Sequence, residues 1–141
     1  MSGFEQVHYD EDNSRTLLAR VTAAYATGTA ISGEGYWVKQ ADVTSITRTV
    51  YDLTSDPAES VIVLGPTSIS KTTAIKDTPV TDGILWDIQV NPLGYNFIDL
   101  VPKTAFPTGG HRYNVKYSFV MAGGEDFTME YEGEARNVVG Q

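Results

Sequence analysis

Cysteine is absent from this chain of 141 residues, so the sequence offers neither a disulfide framework nor a thiolate ligand for a metal ion. Histidine is scarce, and His8 and His111 lie far apart, without acidic or histidine neighbours at ligand spacing. There is no G-x-S-x-G motif, and no pair of acids in environments that would separate their pKa values. We therefore predict a protein that is not an enzyme and that binds no metal ion or cofactor.

Long apolar runs are missing as well. No stretch reaches the roughly 18 consecutive apolar residues of a membrane helix, and MSGFEQVHYDEDNS lacks the basic start and apolar segment of a signal peptide. Positive charge is in short supply, since 10 lysines and arginines stand against 18 acidic residues and leave a net charge of −8. Because such a field repels phosphate groups, we predict neither a nucleic-acid nor a membrane partner.

Helical periodicity is nearly absent, whereas apolar and polar residues alternate in short runs bounded by Gly, Pro, Asn, Asp and Ser. The pattern predicts an all-β chain of about eight or nine strands, with an N-terminal arm (1–15), one β-sandwich domain (16–136) and a C-terminal tail (137–141). Trp86 is predicted to lie at the centre of the core. The predicted strands are 17–25, 36–38, 45–53, 60–64, 72–75, 84–90, 95–100, 113–121 and 127–135.

The last two strands form the clearest pair, with the turn sequence AGGE between them. Apolar residues occupy odd positions in both, so a hairpin that buries one face must pair odd with odd and close with a loop of odd length. Either register that meets this condition places Lys116 opposite Glu130 or Glu132. The acidic residues of the final strand are then interpreted as its solvated face.

Two stretches look like ligand-binding motifs but lack required residues. GPTSISKT (65–72) follows the apolar run VIVL, yet Ser70 stands where a phosphate loop needs its second glycine, and the following residues do not favour a helix. DEDNS (10–14) opens like a calcium loop, but Arg15 replaces the glycine and Val21 the closing glutamate. We predict a turn between two strands for the first stretch and a solvated, flexible arm for the second.

Tyr36 and Trp37 are adjacent in GEGYWV, so in a strand one of them points away from the core. An exposed aromatic beside glycines can stack on a sugar ring or fill a pocket in another protein; the alternative is that the second aromatic lies beneath a loop. The arm is a further interaction element, since such a segment can become ordered across a neighbouring subunit. The candidate partner-binding residues are Phe4, Tyr9, Asp10, Tyr36 and Trp37.

The order of several short segments points to a family. The segments are LLARV (17–21), DVTSI (42–46), VYDL (50–53), Trp86, NF (96–97) and FPTGGHRYNV (106–115). Over residues 17–135, this order resembles small β-sandwich proteins encoded among the structural genes of tailed bacteriophages. The shared features concern packing and turns, not catalysis. The resemblance implies a single antiparallel, immunoglobulin-like sandwich that serves as a part of the virion.

The expected function follows from this resemblance. It implies a non-enzymatic decoration or cement protein that binds the head lattice in repeated copies, with the major capsid protein or other virion proteins as partners. A tail or baseplate component is the alternative, and a carbohydrate-binding β-sandwich module is a further one. The expected location is the virion, after assembly in the host cytoplasm. Deletion of residues 1–12 is expected to weaken attachment while leaving the fold intact.

Overall fold

A computed structural model describes residues 4–7, 9–31, 33–54, 61–81, 94–123 and 126–137. Trp86 and the predicted strand 84–90 lie outside these residues. The described chain is mostly β-structure, with one helical turn, α1 (Lys71–Ala74), and 3-10 turns at Gln40–Asp42 and Lys103–Ala105. The strands are β1 (Phe4–Gln6), β2 (Tyr9–Asp10), β3 (Arg15–Ala19), β4 (Thr22–Ala23), β5 (Ala30–Ile31), β6 (Gly35–Trp37), β7 (Val43–Asp52), β8 (Ile62–Ile69), β9 (Ile75–Val80), β10 (Tyr95–Val101), β11 (Arg112–Met121) and β12 (Phe127–Arg136).

The described strands form three sheets. The large sheet has the order β1-β12-β11-β7-β8, with β2 also paired to β12, and the smaller sheets are β3-β10-β9 and β4-β6-β5. In the large sheet β1 and β2 run parallel to β12 and the other neighbours are antiparallel, so this sheet is mixed; it curls as a half-barrel. The predicted β-rich fold is confirmed, but the strands differ from a single antiparallel sandwich because the arm adds parallel strands and the sheets number three.

β11 lies inside the large sheet, between β12 and β7. Its register with β12 places Lys116 opposite Glu130 and Phe119 opposite Phe127, so odd positions pair with odd ones. The odd-numbered side chains of both strands are buried, as the apolar alternation predicts. The predicted hairpin register is therefore confirmed.

The β3-β10-β9 sheet packs against the buried face of β11. Phe97 of β10 is fully buried, with its ring centroid 5.0 Å from that of Tyr117 and 5.7 Å from that of Phe119. Phe119 in turn stacks on Phe127 at 4.7 Å. Aromatic pairs of this kind contribute about 0.5–1.5 kcal/mol each beyond the area they bury, so the cluster holds the two sheets together.

A buried asparagine explains why the predicted strand 17–25 is interrupted. Asn96 of β10 is fully buried; its Oδ1 accepts a hydrogen bond from the Val21 backbone N–H at 2.7 Å. Its Nδ2 donates to the carbonyl oxygens of Val21 and Val38, each at 2.9 Å. Because Asn96 satisfies the backbone of Val21, β3 can end at Ala19 and the chain can pass to β4 in another sheet.

The described part of the arm belongs to the large sheet. The Val7 N–H donates to the carbonyl oxygen of Glu132 at 3.0 Å, between β1 and β2. Tyr9 is 1% exposed, stacks on Phe106 at 4.1 Å, and donates its hydroxyl to the carbonyl oxygen of Tyr131 at 2.7 Å. The prediction of a flexible arm is wrong for these residues, because the ring of Tyr9 fills a site in the core.

Gly133 of β12 makes room for the arm. A Cβ atom built on Gly133 would overlap the carbonyl oxygen of Val7, so any side chain here pushes the arm away from the sheet. After β2, the chain is fastened again by the Asp12 N–H, which donates to the carbonyl oxygen of Phe106 at 2.8 Å. The carboxylate of Glu11 accepts the Gly109 N–H at 3.1 Å. Close packing on β12 and these two bonds keep the arm in place.

The stretch GPTSISKT forms no turn between strands. β8 (Ile62–Ile69) continues through Gly65 and Pro66, with a shift in its pairing register to β7. The prediction that no helix forms here is wrong, because α1 makes one helical turn from Lys71 to Ala74. The predicted strand 72–75 therefore lies mostly in α1. Since residues 65–69 are extended, their backbone does not curl into the loop that cradles a phosphate.

Candidate functional site

The third sheet separates the two adjacent aromatics. β6 lies between β4 and β5, and Tyr36 is paired with Ala23 on one side and with Ala30 on the other. Trp37 is 5% exposed, whereas Tyr36 is 43% exposed. The prediction that one of them points away from the core is confirmed. Tyr36 is accessible to a partner, and Trp37 is corrected to a core residue.

The other predicted contact residues lie on the arm, in a different sheet from Tyr36. Tyr9 is wrong as a partner contact, since it is buried within its own chain. Asp10 is accessible and accepts a hydrogen bond from Arg136 Nε at 2.8 Å. Phe4 lies in β1, whose backbone pairs with β12. The structure therefore does not gather the five predicted residues into one site.

An open groove with a volume of about 600 Å³ lies between two walls. One wall is formed by β8 and α1, and the other by β10. We call it the β8–β10 groove. Its apolar wall includes Ile69, Ile98 and Leu100. Leu100 is 61% exposed, the largest exposed fraction of any large hydrophobic side chain in the described part of the chain. Apolar surface that is open to solvent beside a concavity is typical of binding sites.

A buried ion pair lies against this groove. Arg48 Nη1 donates to Asp99 Oδ2 at 2.7 Å, and the two side chains are only 8% and 10% exposed. The Tyr117 hydroxyl donates to the same carboxylate oxygen. Burial, and then the charge of Asp99, raise the pKa of Tyr117, so this hydroxyl keeps its proton and remains a donor. The network fixes the orientation of the Arg48 guanidinium beneath the groove.

Two cationic side chains, those of Arg48 and Lys76, line the groove. Arg48 Nε is buried and has no hydrogen-bond partner among the described residues. A buried donor left without an acceptor costs about 1–3 kcal/mol. Lys76 of β9 also lines the groove, and no ion pair joins it to another described residue. Since Asp99 offsets only one of the two cations, the groove carries positive charge on a protein whose net charge is −8.

The sequence prediction missed this groove, although a signal for its buried charges exists. Arg48 lies on the buried face of β7, together with Ile46 and Val50. Asp99 lies on the corresponding face of β10, two residues from a buried residue on each side. Opposite charges at positions on the apolar faces of two strands indicate a buried ion pair between them. The alternation does not show that these two strands face each other.

A second polar cluster joins the end of β7 to the start of β11. His111 Nδ1 lies 2.8 Å from Asp52 Oδ2, and the Thr54 N–H donates to Asp52 Oδ1 at 2.9 Å. Burial alone would raise the pKa of Asp52, but the hydrogen bonds from His111 and Thr54 outweigh it and hold this pKa below its usual 3.8. The ionised carboxylate is therefore the form that stabilises this end of the sheet.

The pH dependence of stability follows from the lowered pKa of Asp52. A carboxyl group with a depressed folded-state pKa stabilises the fold above its unfolded pKa of about 3.9, and this contribution is lost as the pH falls further. We expect the stability difference between the wild type and Asp52→Asn to be largest at neutral pH and to shrink below about pH 4. Urea unfolding from pH 3 to 7 measures it. Asp12→Asn, at an exposed position, is the control and should show no such trend.

Within the described ranges, no group of three or more His, Cys, Asp or Glu side chains is placed to hold a metal ion. No helix among them is long and apolar enough to cross a membrane. No protein-family model, curated protein or solved structure matches the chain.

Proposed function

We propose that the protein is a non-enzymatic structural component of a tailed-phage virion, and that it decorates the head by binding the capsid lattice. The observation that carries the interaction role is Tyr36, a large aromatic side chain held 43% exposed on a sheet. Tyrosine is enriched where proteins bind one another, because it offers a large contact area at low entropic cost. The assignment to a virion rests on the resemblance of the segments quoted above. The β-rich fold, in which two sheets pack across Phe97, supports only the β-structure that the resemblance implies.

The surroundings of Tyr36 suit a contact with another protein. Its cross-strand neighbours, Ala23 and Ala30, are small, so they leave the phenol ring raised above the sheet. Arg20 and Glu34 form an ion pair at 3.0 Å with partly exposed side chains, which provides a polar rim to the same segment. An aromatic anchor with a polar rim is the usual composition of a binding patch.

Capsid binding can be measured with the wild type and one surface variant. We expect Tyr36→Ala to lower occupancy on purified capsids about tenfold or more, which corresponds to a hot-spot loss of ~1.4 kcal/mol or greater. Cosedimentation with the particles gives the occupancy, and the urea midpoint should stay unchanged because the side chain is exposed. Val120→Ala, which alters an exposed apolar residue of the large sheet, is the control and should bind like the wild type.

Antibody labelling of the source particles in the electron microscope tests the location. Label over the head supports decoration, and label at the tail favours the baseplate alternative. If no particle carries label, the virion role is wrong. Tyr36 would then favour the second candidate, a carbohydrate-binding module, because an exposed tyrosine can stack on a sugar ring. A glycan panel titrated against the wild type and Tyr36→Ala tests that candidate directly.

A further inference from the structure

The β8–β10 groove combines three properties in one place. It has an apolar wall, a lysine that no described residue joins in an ion pair, and the edge of a β-sheet along one side. Each property restricts the chemistry of a ligand. Together they point to a binding site that is separate from the contact proposed above.

The charge of the groove selects an acidic ligand. Asp99 neutralises one cation through its bond to Arg48, and no described residue forms an ion pair with Lys76. Arg48 uses Nη1 for Asp99, while its Nε has no acceptor among the described residues. A carboxylate bound in the groove would be attracted by the charges of Arg48 and Lys76, both of which line it.

The apolar wall selects aliphatic groups as well. Ile69, Ile98 and Leu100 line the groove from β8 and β10, and Leu100 is mostly exposed. Burying such a side chain against a ligand removes apolar surface from water, which stabilises a complex. A simple anion would leave this wall in water, so the ligand should carry aliphatic side chains beside its carboxylates.

The sheet edge selects an extended backbone. β8 pairs with β7 on one side, and no other described strand pairs with it. An antiparallel edge strand turns the N–H and C=O of every second residue outward, where a bound segment can add as a further strand. Pro66 has no N–H to donate, so the usable edge is the short run 67–69 beside the groove.

We propose that the β8–β10 groove binds a short, extended segment of another polypeptide in which acidic and aliphatic side chains alternate. Such a segment places its carboxylates toward Arg48 and Lys76, its aliphatic side chains on Leu100, and its backbone along β8. The proposal goes beyond capsid decoration and does not depend on it, because it concerns the chemistry of the partner and not the particle on which the partner resides.

The test uses two synthetic peptides and the full chain. A fluorescein-labelled peptide of alternating leucine and glutamate is titrated by anisotropy, beside a matched peptide with lysine in place of glutamate. We expect only the acidic peptide to bind. Lys76→Glu and Leu100→Asp should each weaken its binding about tenfold or more, and Lys76→Glu should also gain affinity for the basic peptide. Val120→Asp, at another exposed apolar position, should bind like the wild type.

Backbone amide NMR spectra locate the site. Shifts that concentrate on residues 67–76 and 98–100 support the proposal, provided that urea midpoints show both variants to be folded. Equal binding of the two peptides, an unchanged affinity of Lys76→Glu, or shifts centred on the third sheet would each overturn it. Shifts of the groove signals by inorganic phosphate but not by the acidic peptide would also overturn it, in favour of a small anion. A failure here leaves the capsid experiment untouched, so the two proposals are tested separately.

Discussion

Replacing Tyr9 with alanine should lower the free energy of unfolding by about 3–5 kcal/mol, the usual loss for a large aromatic residue in a core. The ring is 1% exposed and stacks on Phe106, and the hydroxyl holds the carbonyl oxygen of Tyr131. Removing the side chain empties a core site and removes the hydrogen bond to that carbonyl oxygen. Since net stabilities are about 5–15 kcal/mol, the variant should be close to unfolding.

Two further variants separate the ring from the hydroxyl in a urea titration. Tyr9→Phe keeps the stack on Phe106 and should lose only about 0.5–1.5 kcal/mol, the net contribution of one hydrogen bond. Tyr36→Ala, at an exposed tyrosine, should change stability by less than about 0.5 kcal/mol. An alanine variant at Tyr9 as stable as the wild type would mean that the arm does not pack on β12 in solution. The expectation that residues 1–12 can be deleted with the fold intact is therefore replaced by one of marked destabilisation.

Asn96→Leu should destabilise the protein by about 2–6 kcal/mol, although leucine has the same number and branching of side-chain heavy atoms as asparagine. The change leaves the Val21 N–H and the Val38 carbonyl without the asparagine that holds them. Each buried group without a partner costs about 1–3 kcal/mol. The Val21 carbonyl keeps the Val38 N–H as a donor at 3.0 Å, so it does not add to the loss.

Asn96→Asp gives an independent check of the same contacts through its pH dependence. The carboxylate would face two carbonyl oxygens in a buried site, which raises the folded pKa of the introduced group above its unfolded value of about 3.9. Stability that depends on the protonated form is lost as the pH rises through the folded pKa. The variant should therefore approach the wild type at low pH and differ most at neutral pH. A pH-independent difference would contradict the assignment of the Asn96 amide as donor.

The sequence predicted the long strands well because each has enough residues to display a period of two. β7, β11 and β12 are ten residues each, and their alternation specified both the buried face and the hairpin register. β2, β4 and β5 have two residues each, too few for any periodic signal. Their positions depend on distant contacts, such as that of Tyr9 with Phe106, which local composition does not encode.

The candidate sites were predictable only in part. Strand geometry required that one of Tyr36 and Trp37 be exposed, but the choice between them depends on which side of β6 the rest of the chain covers. The β8–β10 groove depends on how two sheets are placed relative to each other. Arg48 and Asp99 are 51 residues apart, and their pairing is a property of that arrangement and not of either strand.

The pairing of the arm with β12 also affects the order in which the chain can fold. The Tyr9 hydroxyl and its acceptor on Tyr131 are separated by 122 residues, and β1 and β2 have no strand to pair with until β12 has left the ribosome. Contacts between such distant residues form slowly, because closing a long loop costs entropy before any contact compensates for it. The strands of the arm therefore pair only after β12 has been synthesised, and the hydroxyl of Tyr9 has no native acceptor until then.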